Sequence, residues 1–87
     1  MEERILQIKN RLGLHARPAA LFVQTATKFK SRIRVFKNDQ EVDGKSIMGL
    51  MTLAAECNSS IYIIIEGEDE KKAMEELSKL VENGFNE

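Results

Sequence analysis

The most regular apolar stretch of the chain reads Ile61-Tyr62-Ile63-Ile64-Ile65. Isoleucine at every second position is typical of a β-strand that buries one face, and β-branched residues favour that conformation. The same alternation occurs in Arg32-Ile33-Arg34-Val35, and a further strand is expected around Val42. Between these two, Asn38-Asp39 supplies residues that tolerate the positive φ angles of a tight hairpin, so the two strands are expected to pair antiparallel.

One more strand is predicted from Glu3 to Lys9, with Leu6 and Ile8 facing the core. Helical periodicity instead marks the segment from Pro18 to Phe29, the segment from Ile47 to Ala55, and a final segment that follows Glu68-Asp69-Glu70 and stops at Asn83-Gly84. Their apolar positions are Ala19, Phe22, Val23 and Ala26 in the first, Leu50, Leu53 and Ala54 in the second, and Ala73, Met74, Leu77, Leu80 and Val81 in the last.

This order of elements, βαββαβα, predicts a single α+β domain over residues 1–87. A four-stranded, mostly antiparallel sheet would pack three helices on one face. No linker, repeat or low-complexity segment interrupts the chain.

The composition restricts the possible functions. The 87 residues are 43% hydrophobic and 31% charged, with 13 basic against 14 acidic side chains. A net charge of −1 does not favour nucleic-acid binding, which usually requires a basic surplus on one face. No apolar stretch is long enough for a signal peptide or a membrane helix, so we expect a cytoplasmic protein without membrane insertion.

The single cysteine, Cys57, has no partner for an intramolecular disulfide, and His15 lies too far away in sequence to complete a close-spaced zinc motif with it. We therefore expect an ordinary loop residue there and no metal site.

A candidate site lies in Gly13-Leu14-His15-Ala16-Arg17-Pro18, between the first strand and the first helix. Proline is tolerated in the first turn of a helix, so Pro18 is expected to mark the helix start. The unpaired N–H groups there favour an anion, Ala16 and Pro18 are expected to support this helix N-terminus, and Arg17 adds a planar cation that suits phosphate oxygens.

A neutral imidazole is a competent nucleophile near physiological pH. His15 is therefore the predicted acceptor of a phosphoryl group, which Arg17 would stabilise. No acidic residue and no second histidine accompanies it in the motif, so a hydrolytic site is not indicated and no cofactor is expected. The alternative interpretation is that His15 is a polar turn residue and Arg17 a solvated charge.

Two stretches resemble motifs of the HPr family of phosphocarrier proteins. Gly13-Leu14-His15-Ala16-Arg17-Pro18-Ala19-Ala20 is similar to the active-site motif, and Lys45-Ser46-Ile47-Met48-Gly49-Leu50-Met51 to the second motif, in the family's order and spacing. The resemblance covers nearly the whole chain and implies the HPr open-faced sandwich fold.

The resemblance also implies a function and partners. His15 would accept a phosphoryl group from phosphorylated enzyme I of the phosphoenolpyruvate-dependent sugar phosphotransferase system (PTS). It would then donate the group to sugar-specific enzyme IIA proteins, with Arg17 stabilising the group in both transfers. The protein would thus be a stoichiometric carrier with a transient phosphohistidine, not an enzyme, and a monomer suits such a shuttle.

Ser46 precedes the short helix, where serine is a favoured N-cap. In many low-GC Gram-positive members of the family, the matching serine is phosphorylated by HPr kinase/phosphorylase, and the product is a corepressor for the catabolite control protein. The resemblance therefore implies a regulatory phosphorylation site at Ser46.

Ile47, Met48 and Met51 add apolar surface beyond the stripe that the short helix can bury. Methionine adapts its shape to unlike partners, so these residues are predicted to form a docking patch. In the HPr family the corresponding patch borders the histidine, binds enzyme I and the enzyme IIA proteins, and would include Ala20 here. The alternative is that these residues belong to the core.

Three rival interpretations remain open. A regulator that works only through Ser46 would have the family's fold, although such proteins replace the histidine. A small-ligand or RNA-binding α+β module could share this architecture, and RNA binding would need surface aromatic residues and a basic sheet face. A phosphohistidine phosphatase would need a water-activating group near His15.

The loop Glu56-Cys57-Asn58-Ser59-Ser60 also departs from the family by lacking glycines, and Asn58 is expected to take a left-handed conformation in their place.

Overall fold

The predicted strands form one sheet in the computed structural model, which describes residues 1–87. Its strands are β1 (Glu2–Gln7), β2 (Arg32–Lys37), β3 (Gln40–Asp43) and β4 (Ser60–Glu66), in the spatial order β1-β4-β2-β3. Every neighbouring pair is antiparallel. The fold is therefore the expected α+β open-faced sandwich.

The isoleucine stretch lies at the centre of this sheet. In β4, which runs between β1 and β2, Ile61, Ile63 and Ile65 are almost completely buried. Their cross-strand neighbours on the same face include Leu6 of β1 and Val35 of β2. The alternation of apolar residues along these strands thus forms one continuous apolar face of the sheet.

The helices are α1 (Ala16–Ala26), α2 (Ile47–Thr52) and α3 (Glu70–Glu82). Helix α3 packs against β1 and β4, α1 contacts α2 and α3, and α2 reaches β3. Phe22, Met74 and Leu77 fill the space between helices and sheet and are fully buried. None of the helices combines the length and apolar character that crossing a membrane requires.

The first helix differs from its predicted bounds at both ends. It begins at Ala16, because the His15 carbonyl already accepts the Ala19 N–H at 3.0 Å, and Pro18 is the third helical residue rather than the first. It ends at Ala26 because the N–H groups of Lys28 and Phe29 bond to carbonyls three residues back, those of Thr25 and Ala26, instead of four. Phe29 is nevertheless buried in the turn that follows.

The short helix also ends earlier than predicted, at Thr52. Leu50 and Leu53 enter the core as expected, but Ala54 has a φ of 50° and is exposed, so its assignment to the apolar side was wrong. The left-handed conformation at Ala54 terminates the helix.

Strand β1 stops at Gln7 rather than Lys9, because Ile8 pairs with the loop before β4 instead of with the strand itself. Its N–H donates to Ser59 and its carbonyl accepts from Asn58 at 2.6 Å. Asn58 has a φ of 72°, which confirms the left-handed conformation expected there. Asn38 of the hairpin is also left-handed, with a φ of 55°, whereas Asp39 is not.

A short 3-10 helix at Gly84–Asn86 follows α3 and was not predicted. It buries Phe85 and carries the chain back to the turn before α1, since Gly84 lies beside Asn10. This return brings Glu87 to the candidate site.

Candidate functional site

A tight turn presents His15 at the start of α1. Gly13 has a φ of +69°, and a Cβ at this position would lie 2.3 Å from the Ala55 carbonyl oxygen, so only glycine fits. The same oxygen accepts the Leu14 N–H at 2.8 Å, and the Leu14 side chain is buried. The turn is therefore fixed to the segment after α2.

His15 is the N-cap residue of α1, with an extended backbone and no capping bond from its side chain. The imidazole is partly exposed, with 36% of its side-chain surface accessible. Its Nε2 atom lies 3.3 Å from Glu87 Oε2, whereas Nδ1 has no hydrogen-bond partner in the chain. One ring nitrogen is thus held, and the other is open to an incoming group.

The start of α1 provides an environment for an anion beside that imidazole. The N–H groups of Ala16 and Arg17 donate to no acceptor in the protein, and Pro18 has no N–H. No acidic residue occupies the first turn, so the positive end of the helix dipole is not neutralised there. The Arg17 side chain is exposed and forms no ion pair.

A shallow pocket of about 280 Å³ borders His15 on the side of α2. Apolar residues form most of its lining, which consists of Leu12, Leu14, Met51, Ala54, Ala55 and Glu56 in addition to His15. The structure therefore brings Met51 of the second motif next to the histidine of the first.

The other residues of the predicted docking patch are exposed to different degrees. Ile47 is 42% exposed, Met48 74% and Met51 41%, so the alternative that they belong to the core does not hold. Ala20 is half-buried on α1, which packs against α2. The chain thus leaves at least 41% of the surface of Ile47, Met48 and Met51 uncovered.

Ser46 caps α2 as expected from its residue type. Its Oγ accepts the Gly49 N–H at 3.0 Å, and the serine itself is half-buried. The motif's Lys45 donates to the Phe29 carbonyl at 2.7 Å, which ties the start of α2 to the end of α1. The second motif therefore has a structural role in joining these helices.

The sequence did not indicate two residues that contact the candidate site, Asn10 and Glu87. Asn10 is 5% exposed, and its Nδ2 donates to the Gly13 carbonyl at 2.6 Å and to Glu87 Oε1 at 3.1 Å. Glu87 is 72 positions from His15, and no local pattern marks either residue. Only the return of the chain through the last 3-10 helix brings them together. No group of three or more His, Cys, Asp and Glu side chains is arranged to hold a metal ion.

Fold and site together define a class of protein: a small α+β sandwich with a histidine at the N-cap position of a helix, beside free backbone amides. The family model described as "PTS HPr component phosphorylation site" matches residues 2–83. The chain belongs to the HPr family, the phosphocarrier proteins of the PTS, which are not catalytic enzymes.

Individual relatives agree with this family. The chain is 51% identical to the phosphocarrier protein HPr of Xylella fastidiosa (strain Temecula1) over 100% of its own length and 98% of the relative's. It is 50% identical to the HPr-like protein Crh of Halalkalibacterium halodurans over 94% of this chain and 98% of that one.

Solved structures agree as well. A crystal structure of HPr from Thermoanaerobacter tengcongensis has 49% identity and a TM-score of 0.96, with coverage of 100% of this chain and 98% of that one. An HPr dimer from the same organism has 49% identity and a TM-score of 0.80, with both chains covered completely. The expectation of a monomer is therefore not settled by these neighbours.

Proposed function

We propose that His15 accepts a phosphoryl group from phosphorylated enzyme I and passes it to sugar-specific enzyme IIA proteins. The observation that carries the proposal is the environment of the imidazole. Its Nδ1 is unpartnered at the start of a helix whose first N–H groups, those of Ala16 and Arg17, have no acceptor. Such N–H groups and the helix dipole favour phosphate oxygens without any rearrangement.

Arg17 would stabilise the group during both transfers. Its guanidinium is planar, exposed and free of ion pairs, so it can form a bidentate contact with phosphate oxygens. Pro18 contributes through the backbone, because its ring fixes φ in the first turn of the helix.

The test is incubation with enzyme I, Mg²⁺ and phosphoenolpyruvate, followed by intact mass and the acid lability of the added phosphate. We expect one acid-labile phosphate on the wild type and none on His15→Ala. Arg17→Ala should be labelled more slowly, by roughly 10–100-fold if its contact is worth about 1.4–2.8 kcal/mol in the transition state. Arg11→Ala is the matched control, since Arg11 is also an exposed arginine near the turn. Failure of active enzyme I to label the wild type would refute the proposal.

Ala20, Ile47, Met48 and Met51 would form the docking surface for these partners. Support comes from the exposure of the three large side chains and from the pocket that joins Met51 to His15. Met48→Ser should weaken binding of enzyme I, measured by calorimetry, by roughly 1–2 kcal/mol if Met48 is a central contact. Ile5→Thr is the control, because Ile5 is 69% exposed in β1, away from α2. Equal effects of the two substitutions would contradict a specific patch.

Ser46 would be a regulatory site for HPr kinase/phosphorylase, and the product a ligand of the catabolite control protein. A phosphate at the start of α2 would meet the same end of the helix that the serine oxygen already caps. We therefore expect altered docking and no unfolding. A large loss of helical circular dichroism on phosphorylation would contradict this.

The alternative function is that of a Ser46-only regulator, which the similarity to Crh supports. The presence of His15 with an open Nδ1 favours the carrier. Labelling of Ser46 by the kinase together with no labelling of His15 by enzyme I would favour the alternative.

An RNA-binding role has less support. The open face of the sheet carries Phe36 and Tyr62, with ring centroids 5.6 Å apart. However, the Tyr62 hydroxyl bonds to Glu3, and Arg34 pairs with Glu66 at 3.2 Å, so the charge of this face is balanced. RNA binding would require a basic surface for the phosphates in addition to aromatic residues for stacking.

We propose that the protein is located in the cytoplasm. We also propose that it is a monomer, because a carrier that moves between partners does not need a second subunit. Light scattering on a sizing column would test the monomer, and a mass of twice 9.9 kDa would refute it.

A further inference from the structure

The carboxylate of Glu87 is the only acidic group in contact with the imidazole of His15. We propose that Glu87 is a positioning residue for phosphoryl transfer: it holds the proton of His15 on Nε2 and so leaves the Nδ1 lone pair free. The inference rests on the proposed function of His15 as the phosphoryl acceptor. It adds a residue that neither of the two motifs contains.

Glu87 is held in place from both sides. Its Oε2 lies 3.3 Å from His15 Nε2, and its Oε1 accepts from Asn10 Nδ2 at 3.1 Å. Asn10 is itself fixed, because it is buried and also donates to the Gly13 carbonyl. The backbone beside Glu87 is anchored by Phe85, which is 1% exposed. One oxygen of the carboxylate is thus bonded to a buried side chain while the other faces His15.

The orientation of Asn10 supports a functional arrangement. With its amide hydrogens directed to Gly13 and Glu87, its Oδ1 is buried without any hydrogen-bond partner. A buried polar atom without a partner is costly, and such atoms in native proteins call for an explanation. Here the arrangement keeps an N–H donor on the carboxylate that faces His15.

The chemistry follows from what each group can donate. An ionised carboxylate only accepts hydrogen bonds, so a neutral imidazole beside it carries its single proton on Nε2. When Nδ1 attacks, the new bond joins Nδ1 to phosphorus, and the phosphorus–nitrogen bond of the donor breaks with its electron pair left on the donor nitrogen. His15 Nε2 keeps its proton, so the ring becomes cationic and the Glu87 carboxylate balances that charge. Onward transfer reverses these changes, and no proton has to move.

Glu87 does not compete with the phosphoryl group for space. It approaches the Nε2 edge of the ring, whereas the free amides and Arg17 belong to the start of α1. The Glu87 carboxylate therefore acts on Nε2, and the phosphoryl group would be bound at Nδ1 of the same ring. The carboxylate of a catalytic triad orients its histidine in a similar way.

The test combines nuclear magnetic resonance with transfer kinetics. His15 is the only histidine, so the ring ¹⁵N signals are unambiguous. In the wild type we expect a protonated Nε2 and a bare Nδ1. Glu87→Ala should increase the fraction of Nδ1–H and slow labelling by enzyme I by roughly tenfold, the low end for loss of an orienting partner. Glu87→Gln keeps an acceptor without the charge, so it should keep the tautomer while labelling stays slow.

Glu82→Gln is the matched control, because Glu82 is also an exposed acidic residue, lies at the end of α3 and has no side-chain bond to His15. It should change neither the ¹⁵N signals nor the rate. If Glu87→Ala leaves either the tautomer or the rate unchanged, the positioning role is wrong. If the wild type itself is not labelled by active enzyme I, the proposed function fails instead, whatever the ¹⁵N spectrum shows.

Discussion

The substitution Gly13→Ala tests the turn on which the placement of His15 depends. The added Cβ would meet the Ala55 oxygen at 2.3 Å, about 1 Å short of the 3.4 Å at which ordinary van der Waals contact begins. The left-handed backbone alone costs an alanine roughly 1–2 kcal/mol. Relief of the clash also stretches the Leu14 hydrogen bond to the same oxygen, and loss of such a bond costs roughly 0.5–1.5 kcal/mol.

We therefore expect Gly13→Ala to lower the free energy of unfolding by about 1.5–3.5 kcal/mol, measured by urea denaturation with circular dichroism. Gly84→Ala is the matched control. Gly84 has a similar φ of +61°, but the nearest atom to its added Cβ would be 3.7 Å away. This control should cost only the backbone part, roughly 1–2 kcal/mol. Equal losses in the two variants would show that the contact with Ala55 does not constrain the turn, and the argument for Gly13 would be wrong.

Three further predictions concern stability. Ser46→Ala should cost about 1 kcal/mol in urea denaturation through loss of the α2 cap, and Ser46→Asp should restore most of it; no loss in Ser46→Ala would mean that the cap contributes nothing. The hydroxyl of Ser31, followed by the Lys30 N–H, lowers the pKa of Asp69, so the stability that Asp69 contributes is complete above its ordinary pKa and is lost as pH falls through the lowered one. The stability difference between wild type and Asp69→Asn should therefore shrink on acidification, and a constant difference would contradict this linkage. Phe85→Ala should cost about 3–5 kcal/mol in the same assay, and a loss below about 1 kcal/mol would show that the last 3-10 helix is not part of the core.

Most of the fold was predictable because the hydrophobic periodicity of each segment and the residue types at the turns indicate the same elements. The alternation in β4 identifies a central strand, and the Asn38-Asp39 turn fixes the β2–β3 hairpin. Element ends were less predictable, since they depend on tertiary hydrogen bonds. Ile8 is buried, as expected for a strand residue, but its backbone bonds to the loop before β4. The local sequence does not distinguish this pairing from a longer strand.

The candidate site could be proposed from the sequence only where its residues are adjacent. His15, Arg17 and Pro18 form one motif, and the physical properties of a helix start explain their use. Asn10 and Glu87 could not be found, because their contacts depend on a 3-10 helix of three residues with no periodic signal. The start of α1 at Ala16 was missed for a related reason: proline is accepted anywhere in the first turn, so Pro18 does not fix the first residue.

The turn that carries His15 is held by residues far along the chain. The Leu14 N–H donates to the Ala55 carbonyl, and the preceding strand β1 pairs with β4. Because β1 lies at the edge of the sheet with β4 as its one neighbour, it has no partner until residues 60–66 have been synthesised. On the ribosome, the histidine and its helix therefore emerge well before the surface that holds them. We therefore expect an incomplete chain on the ribosome not to accept a phosphoryl group from phosphorylated enzyme I. Only the completed protein would become phosphorylated.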